Sequence, residues 1–193
     1  LREQALAPRS LEEMTVGIVG FGRVGARVAA AMHAMGARVL AHDLREIDPG
    51  AASAAGATMS SIAQLHAESD LVCLHVDGRA ANRGLYDAAR LAELRENVIL
   101  VNASRGFVVD PAALAAILEA RPAMTAILDV HEPEPVPPGH PLLGHPRAML
   151  TPHVASRTAA AQRAMSAVVD DVIRVLEGEP PRWPAPADPG LSE

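Results

Sequence analysis

The sequence predicts an α/β fold, a doubly wound parallel sheet flanked by helices, on three observations. Short apolar runs alternate with helical segments from Thr15 to Leu176. The first run ends in three glycines spaced G-x-G-x-x-G, at Gly20, Gly22 and Gly25. The polar residues able to do chemistry, Asp43, His75, Asn82, Arg105, Asp129, Glu134 and His153, all follow such runs. That places them at the carboxyl edge of the sheet, outside which open α/β sheets bind ligands.

Leu1 to Met14 is a polar lead-in interrupted by Pro8, and residues 1–14 read as a linker or the remnant of another element. Val16, Ile18 and Val19 form the first strand, Gly20-Phe21-Gly22-Arg23-Val24-Gly25 a tight turn, and Ala26 to Met35 a helix. One glycine permits the turn, one lets a pyrophosphate approach the backbone, and one lets the helix pack on the strand. The start of the helix offers N–H groups and a positive dipole end to phosphates. The second strand, Ala37 to Ala41, runs into His42-Asp43. An acid about 20 positions beyond the glycines is where ribose hydroxyls are held. Gly20, Gly22, Arg23, Val24, Gly25 and Asp43 therefore form a candidate dinucleotide site of Rossmann type. The charge of Asp43 favours NAD over NADP, because it repels a 2′-phosphate.

Asp48-Pro49-Gly50 reads as a turn, and Ser60-Ser61 caps a short helix. A third strand covers Asp70 to Val76, followed by a polar loop over residues 77–84 and helical spacing from Leu85 to Leu94. Val98 to Val101 suits a central parallel strand, and Asn102-Ala103-Ser104-Arg105-Gly106 leaves one arginine in a small polar loop. Asp110 caps the next helix with Pro111 at its first position. A strand over Ala123 to Asp129 precedes residues 131–146, whose six prolines and three histidines predict an ordered loop over the sheet edge. Ala148 to Leu150 is the last strand, Thr151-Pro152-His153 follows it, and Ser156 or Thr158 caps a helix reaching about Leu176. These boundaries divide the chain into a lead-in (1–14), a nucleotide-binding domain (15–154), a C-terminal helix (155–178) and a mobile Pro-rich tail (179–193).

With 193 residues the chain can bury one substantial core. A net charge of −6 without a basic run argues against nucleic acid as a partner. No apolar run reaches the length of a membrane span, and no signal-peptide pattern opens the chain. The single cysteine, Cys73, lies inside the apolar run Leu71 to Leu74. That rules out a disulfide framework and favours a reducing, cytoplasmic setting. Leu1 is not an initiator methionine, so a fragment or processed product is expected.

Taken singly, Arg105 also fits a surface ion pair, Glu134 a solvated side chain, and His153 a structural histidine. Together at one sheet edge beside a nicotinamide they form a mechanism. Arg105 grips a substrate carboxylate with its fork. His153 protonates a carbonyl oxygen as hydride arrives, or removes the hydroxyl proton in the reverse direction. Glu134 orients the imidazole and raises its pKa. A zinc site built from His131, His140 and His145, with Glu132, matches no compact ligand spacing, and no metal is expected.

Several motifs, in order, resemble the NAD-binding domain of the D-isomer-specific 2-hydroxyacid dehydrogenases. They are VGIVGFGRVG at 16–25, SDLVCLHV at 69–76, LVNASRGFVVD at 100–110, ILDVHEPEP at 127–135, HPLL at 140–143 and LTPHVASRT at 150–158. The resemblance implies NAD as cofactor and a small 2-hydroxy or 2-keto acid as substrate. It places the catalytic residues at Arg105, Glu134 and His153, the first and last of them also bordering the coenzyme. Asp129 matches the aspartate near the nicotinamide carboxamide, Val76, Asp77 and Asn82 the loop over the cofactor, and Ala103 and Ser104 backbone beside the nicotinamide. It further implies a homodimer through the coenzyme domains. Asp77 stands where many members have proline, and His131 where an aromatic is common. The family's substrate domain is built mainly from residues preceding the glycine strand, where this sequence has only Leu1 to Met14. The chain is therefore expected to bind NAD but to turn over slowly or not at all unless another chain completes the cleft. Corepressor-like members allow a second possibility, an NAD(H)-binding dimerisation module without significant turnover. A Rossmann enzyme acting on adenosyl compounds is disfavoured by the Arg-Gly and Thr-Pro-His loops.

Overall fold

A computed structural model of the chain describes residues 9–184. Leu1 to Pro8 of the expected lead-in and residues 185–193 of the expected tail lie outside the described residues. The chain divides into two units, residues 1–153 and 154–193.

The first unit holds a seven-stranded, all-parallel sheet: β1 (Thr15–Val19), β2 (Arg38–His42), β3 (Ala57–Met59), β4 (Leu71–Leu74), β5 (Ile99–Asn102), β6 (Thr125–Leu128) and β7 (Ala148–Leu150). Their order across the sheet is β3-β2-β1-β4-β5-β6-β7, so the strand order reverses between β1 and β4. Parallel strands buried on both faces read as continuous apolar runs, as β1 and β4 do. Alternate side chains serve two cores. Ile18, Val39, Ala41 and Cys73 pack in the core that includes Ala29 of α1 (Arg23–Ala34) and Ala52 of α2 (Pro49–Ala54). Leu40, Val72, Leu74 and Leu100 pack in the other. That core also takes Leu65 of α3 (Ile62–Glu68), Leu91 of α4 (Ala88–Ala92), and Leu114 and Leu118 of α5 (Pro111–Ala120). Helices on both faces are the doubly wound arrangement predicted. Cys73 is buried in β4, and burial pushes its thiol up to about 12.

Several local expectations are corrected. Asp48-Pro49-Gly50 opens α2: the Asp48 carboxylate accepts the Ala51 N–H at 2.8 Å and Pro49 takes the first helical position. The edge strand β3 was not expected, because three residues carry no readable alternation. Helix α1 begins at Arg23, which puts Gly25 inside the helix. Helix α4 starts only at Ala88 under an Asp87 cap, while Tyr86 bridges to Val109.

The lead-in is pinned at the amino edge of the sheet. Asp70, just before β4, accepts Arg9 Nη1 and Arg95 Nη1 on Oδ1, each at 2.7 Å, and the Thr15 N–H on Oδ2 at 2.9 Å. Burial opposes ionisation of Asp70, but these donors outweigh it and hold its carboxyl below the usual carboxylate range. Asp70→Asn is expected to cost about 1–2 kcal/mol, read as a lower urea midpoint with unchanged slope. A depressed folded pKa gives stability that is present above the unfolded value, about 3.9, and lost as pH falls through the folded one. The gap between parent and variant should therefore be full at neutral pH and narrow below about pH 4. A gap independent of pH would refute the assignment.

In the second unit, Thr158 Oγ1 caps α6 (Ala159–Ser166) by accepting the Ala161 N–H at 3.1 Å. The single expected helix is broken at Ala167, and α7 spans Val168–Leu176. The described start of the tail is tied down: Asp171 accepts the N–H groups of Arg182 and Trp183, both at 3.0 Å. No helix among the described residues is long and apolar enough to cross a membrane.

Candidate active site

The glycine turn sits at the carboxyl end of β1, beside the reversal of strand order. The Gly20 N–H donates to the His42 carbonyl at 2.8 Å, and its φ of +93° suits glycine. A side chain at Gly25 would overlap the Gly20 carbonyl oxygen, so α1 packs on the turn as closely as backbone allows. Space over Gly22, the N-cap of α1, is open. Arg23 and Val24 form the exposed first turn of that helix. Beside the turn, Nε2 of His75 is buried and has no hydrogen-bond partner among the described residues, and burial lowers the pKa of the ring. An open cradle over Gly22, a helix N-terminus and an orphaned polar atom suit a phosphate-bearing dinucleotide.

Asp43 lies at the end of β2, where its Oδ2 accepts the Phe21 N–H of the glycine turn at 2.8 Å. Arg45, missed in the sequence, forks onto both carboxylate oxygens through Nε and Nη2, each at 3.1 Å. Burial opposes ionisation of Asp43, but Arg45 and the Phe21 N–H outweigh it and hold the carboxyl below the usual range. An open groove next to this pair is lined by His42, Ile47, Met59 and Ser61. After β4, Val76 leads into Asp77, which pairs with Arg79 and accepts the Asn82 side-chain amide at 2.9 Å. Asn82 also reaches the Asp77 carbonyl at 3.0 Å, so it shapes this loop. The ion pair to Arg79 is the main reason the Asp77 carboxyl is depressed.

The Arg105 loop is organised by Asn102, the last residue of β5. Its Oδ1 accepts the Ser104 hydroxyl at 2.7 Å and the Ser104 N–H at 3.0 Å, while its Nδ2 donates to the Arg105 carbonyl at 2.9 Å. Ser104 is thereby buried, and Ala103 and Arg105 are left exposed. Arg105 Nη1 donates to its neighbour's carbonyl at 2.7 Å. The far strands supply the rest. Asp129, after β6, accepts the Thr151 hydroxyl at 2.6 Å. Glu134 Oε2 accepts His153 Nδ1–H at 2.9 Å, and its Oε1 accepts the His131 N–H at 2.8 Å. The bond from His153 holds the Glu134 carboxyl below its ordinary value against burial, and the His131 N–H adds a lesser push in the same direction.

Glu134, after β6, and His153, after β7, are thus in direct contact, while Asp129 follows β6 and Arg105 follows the neighbouring strand β5. Asp43 and the glycines lie toward the other side of the same edge. Among the described residues no three His, Cys, Asp or Glu side chains group as metal ligands. His131 and His140 meet edge to face, whereas His145 stands 3.0 Å from Glu119, at ion-pair distance without hydrogen-bond alignment.

A parallel sheet with this turn, an acid closing β2 and a histidine–carboxylate pair at the far strand ends define a Rossmann-class nucleotide-binding domain. Residues 1–155 match the family described as D-isomer specific 2-hydroxyacid dehydrogenase, NAD binding domain. The chain belongs to this family and is its NAD-binding domain. It is 35% identical over 173 residues to a D-3-phosphoglycerate dehydrogenase of Archaeoglobus fulgidus, covering 89% of this chain and 33% of that protein. It is 34% identical over 175 residues to a glyoxylate reductase of Aeropyrum pernix, covering 89% and 51%. The crystal structure of D-lactate dehydrogenase with NAD+ from Lactobacillus jensenii superposes with a TM-score of 0.79 at 27% identity, covering 93% of this chain and 57% of the other. The chain spans a third to about half the length of the curated relatives it matches.

Proposed function

We propose that this chain is the coenzyme half of an NAD-dependent dehydrogenase that interconverts a D-2-hydroxy acid and the corresponding 2-keto acid. The observation that carries the reading is the His153–Glu134 pair, 2.9 Å apart, at the sheet edge that also bears Arg105. When bound, NAD supplies or accepts the hydride. Gly20, Gly22, Arg23, Val24 and Gly25 hold its pyrophosphate and Asp43 its ribose, the loop of Val76, Asp77 and Asn82 lies over it, and Ala103, Ser104 and Asp129 border the nicotinamide. Arg105 grips the substrate carboxylate. A carboxylate only accepts, so Glu134 fixes the His153 proton on Nδ1 and leaves Nε2 to exchange a proton with the substrate oxygen. The resemblance to family members supports a homodimer through this domain. The lone buried Cys73 supports a cytoplasmic setting.

The full-length protein should reduce members of a 2-keto acid panel with NADH, and Arg105→Ala and His153→Ala should suppress that activity. Unchanged rates in both variants would reject the chemistry and leave an NAD(H)-binding module. The 193-residue chain alone should bind NADH yet turn over slowly, because it spans only a third to about half the length of the dehydrogenases it matches, and a cleft that excludes water needs both of its walls. Turnover by this chain at the rate of the full-length protein would overturn that expectation.

A further inference from the structure

Four hydrogen bonds close a ring at the edge of the sheet. The His131 N–H donates to Glu134 Oε1 at 2.8 Å, and Glu134 Oε2 accepts His153 Nδ1–H at 2.9 Å. The His153 N–H donates to the Thr151 carbonyl at 3.0 Å. The same carbonyl accepts from His131 Nε2 at 2.8 Å. A carbonyl oxygen only accepts, so this last bond requires the His131 tautomer with hydrogen on Nε2.

Two corners of the ring, Thr151 and His131, are anchored from outside it. The Thr151 N–H donates to the Leu128 carbonyl at 2.9 Å, continuing the pairing of β6 with β7, and its hydroxyl is spent on Asp129. His131 is 9% exposed, and its ring stands edge-on to that of His140, with centroids 6.4 Å apart. The backbone of Gly106, next to Arg105, lies so close to the His131 carbonyl that a Cβ there would overlap it. His131 is therefore fixed on three sides before it bonds to anything catalytic.

That rigidity has a use, because His153 needs holding. It is the only non-glycine residue with positive φ among the described residues, at +50°. Such a conformation persists when its surroundings enforce it. One bond that enforces it ends on the Thr151 carbonyl, the atom that His131 grips.

We propose that His131 is a positioning residue: its ring fixes the backbone of His153 through Thr151, while its N–H aims Glu134 at the His153 imidazole. It touches neither substrate nor coenzyme in this role. The two effects differ in origin. The N–H is present whatever the side chain, so substitution of His131 tests the bond from the ring alone. The consequence for rate rests on the function proposed above, whereas the consequence for geometry does not.

Two variants separate the role from simple packing. His131→Phe keeps an aromatic ring but cannot bond to Thr151. His131→Gln places an amide N–H near the position of Nε2. In the 193-residue chain, proton NMR should show a hydrogen-bonded His153 Nδ1–H signal, assigned by its loss in His153→Ala. The signal should broaden or vanish in His131→Phe and return in His131→Gln. In the full-length enzyme, kcat should fall about tenfold in the Phe variant, as expected for a displaced catalytic group. The KM for NADH should hold steady, and the Gln variant should recover most of the rate. An Nδ1–H signal unchanged in His131→Phe, or a Gln variant behaving like Phe, would overturn the proposal. If the signal responds while His153→Ala leaves turnover intact, the positioning role stands and the acid–base reading falls.

Discussion

In a dehydrogenase of the kind proposed above, replacing His153 by alanine is expected to lower kcat by about 10²- to 10⁴-fold, the usual contribution of a positioned acid–base group. The expectation rests on which nitrogen is committed. Nδ1 is held 2.9 Å from Glu134 Oε2, so proton exchange with a substrate falls to Nε2. Glu134 is depressed below the ordinary carboxylate range, chiefly by His153, so it stays ionised at neutral pH and, as an acceptor only, keeps the ring proton of His153 on Nδ1. That support is present above the usual carboxylate pKa and is lost as pH falls through the lowered one. Because His153 lies on the far strand ends and the glycine turn at β1, NADH binding to the variant should match the parent. Stopped-flow turnover and NADH fluorescence titration check both halves. A loss smaller than about tenfold would remove His153 from the role, because general acid–base catalysis contributes more than that.

The glycine turn, Asp43 at the end of β2 and the Asp110-Pro111 cap were legible because each is a local signal, in which residue type and spacing fix the geometry. The same signal was present at Asp48-Pro49 and went unread as a helix start. Gly50 follows there and only six residues are helical, whereas α5 continues for ten in an apolar-rich run. Local signals lose force when the element they announce is too short to show periodicity. Strand β3 is the limiting case: its three residues are placed by the register Val39↔Ala57 through Ala41↔Met59 on β2, not by any pattern of their own.

At the site, the residues expected to carry chemistry have local signatures, but most of the contacts that hold them do not. His131 meets Thr151 across 20 positions and Thr151 meets Asp129 across 22. These separations close because β6 and β7 pair in parallel, with Leu128 beside Leu150. Spacing along the chain carries no information about such a contact. Arg45 was hidden differently, since it stands two residues from Asp43 and only its side-chain conformation turns it back onto the carboxylate. Asn102 reads as the first residue of a polar loop, yet it closes β5 and its amide organises Ser104 and Arg105.

Arg105→Ala should be the second severe lesion, and it should fall on the substrate rather than the coenzyme. The arginine's backbone is held by the Asn102 amide on its carbonyl. Its side chain runs past Gly78 of the loop after β4, at 3.4 Å from where a Cβ would stand. The loop is therefore set before substrate arrives, and one guanidinium nitrogen is occupied by the Ser104 carbonyl at 2.7 Å. The remaining donors form the fork that a planar carboxylate fits. Removing one partner of a desolvated, hydrogen-bonded charge pair costs about 2–5 kcal/mol. At about 1.4 kcal/mol per tenfold, kcat/KM for the keto acid should fall by roughly 30- to 4000-fold. Arg105→Lys should recover only part of that loss, because an ammonium keeps the charge but not the fork. NADH affinity should stay within about twofold of the parent, a change of well under 1 kcal/mol. An equal loss of NADH affinity would instead make Arg105 part of the coenzyme cradle, and full rescue by lysine would reduce its role to a point charge.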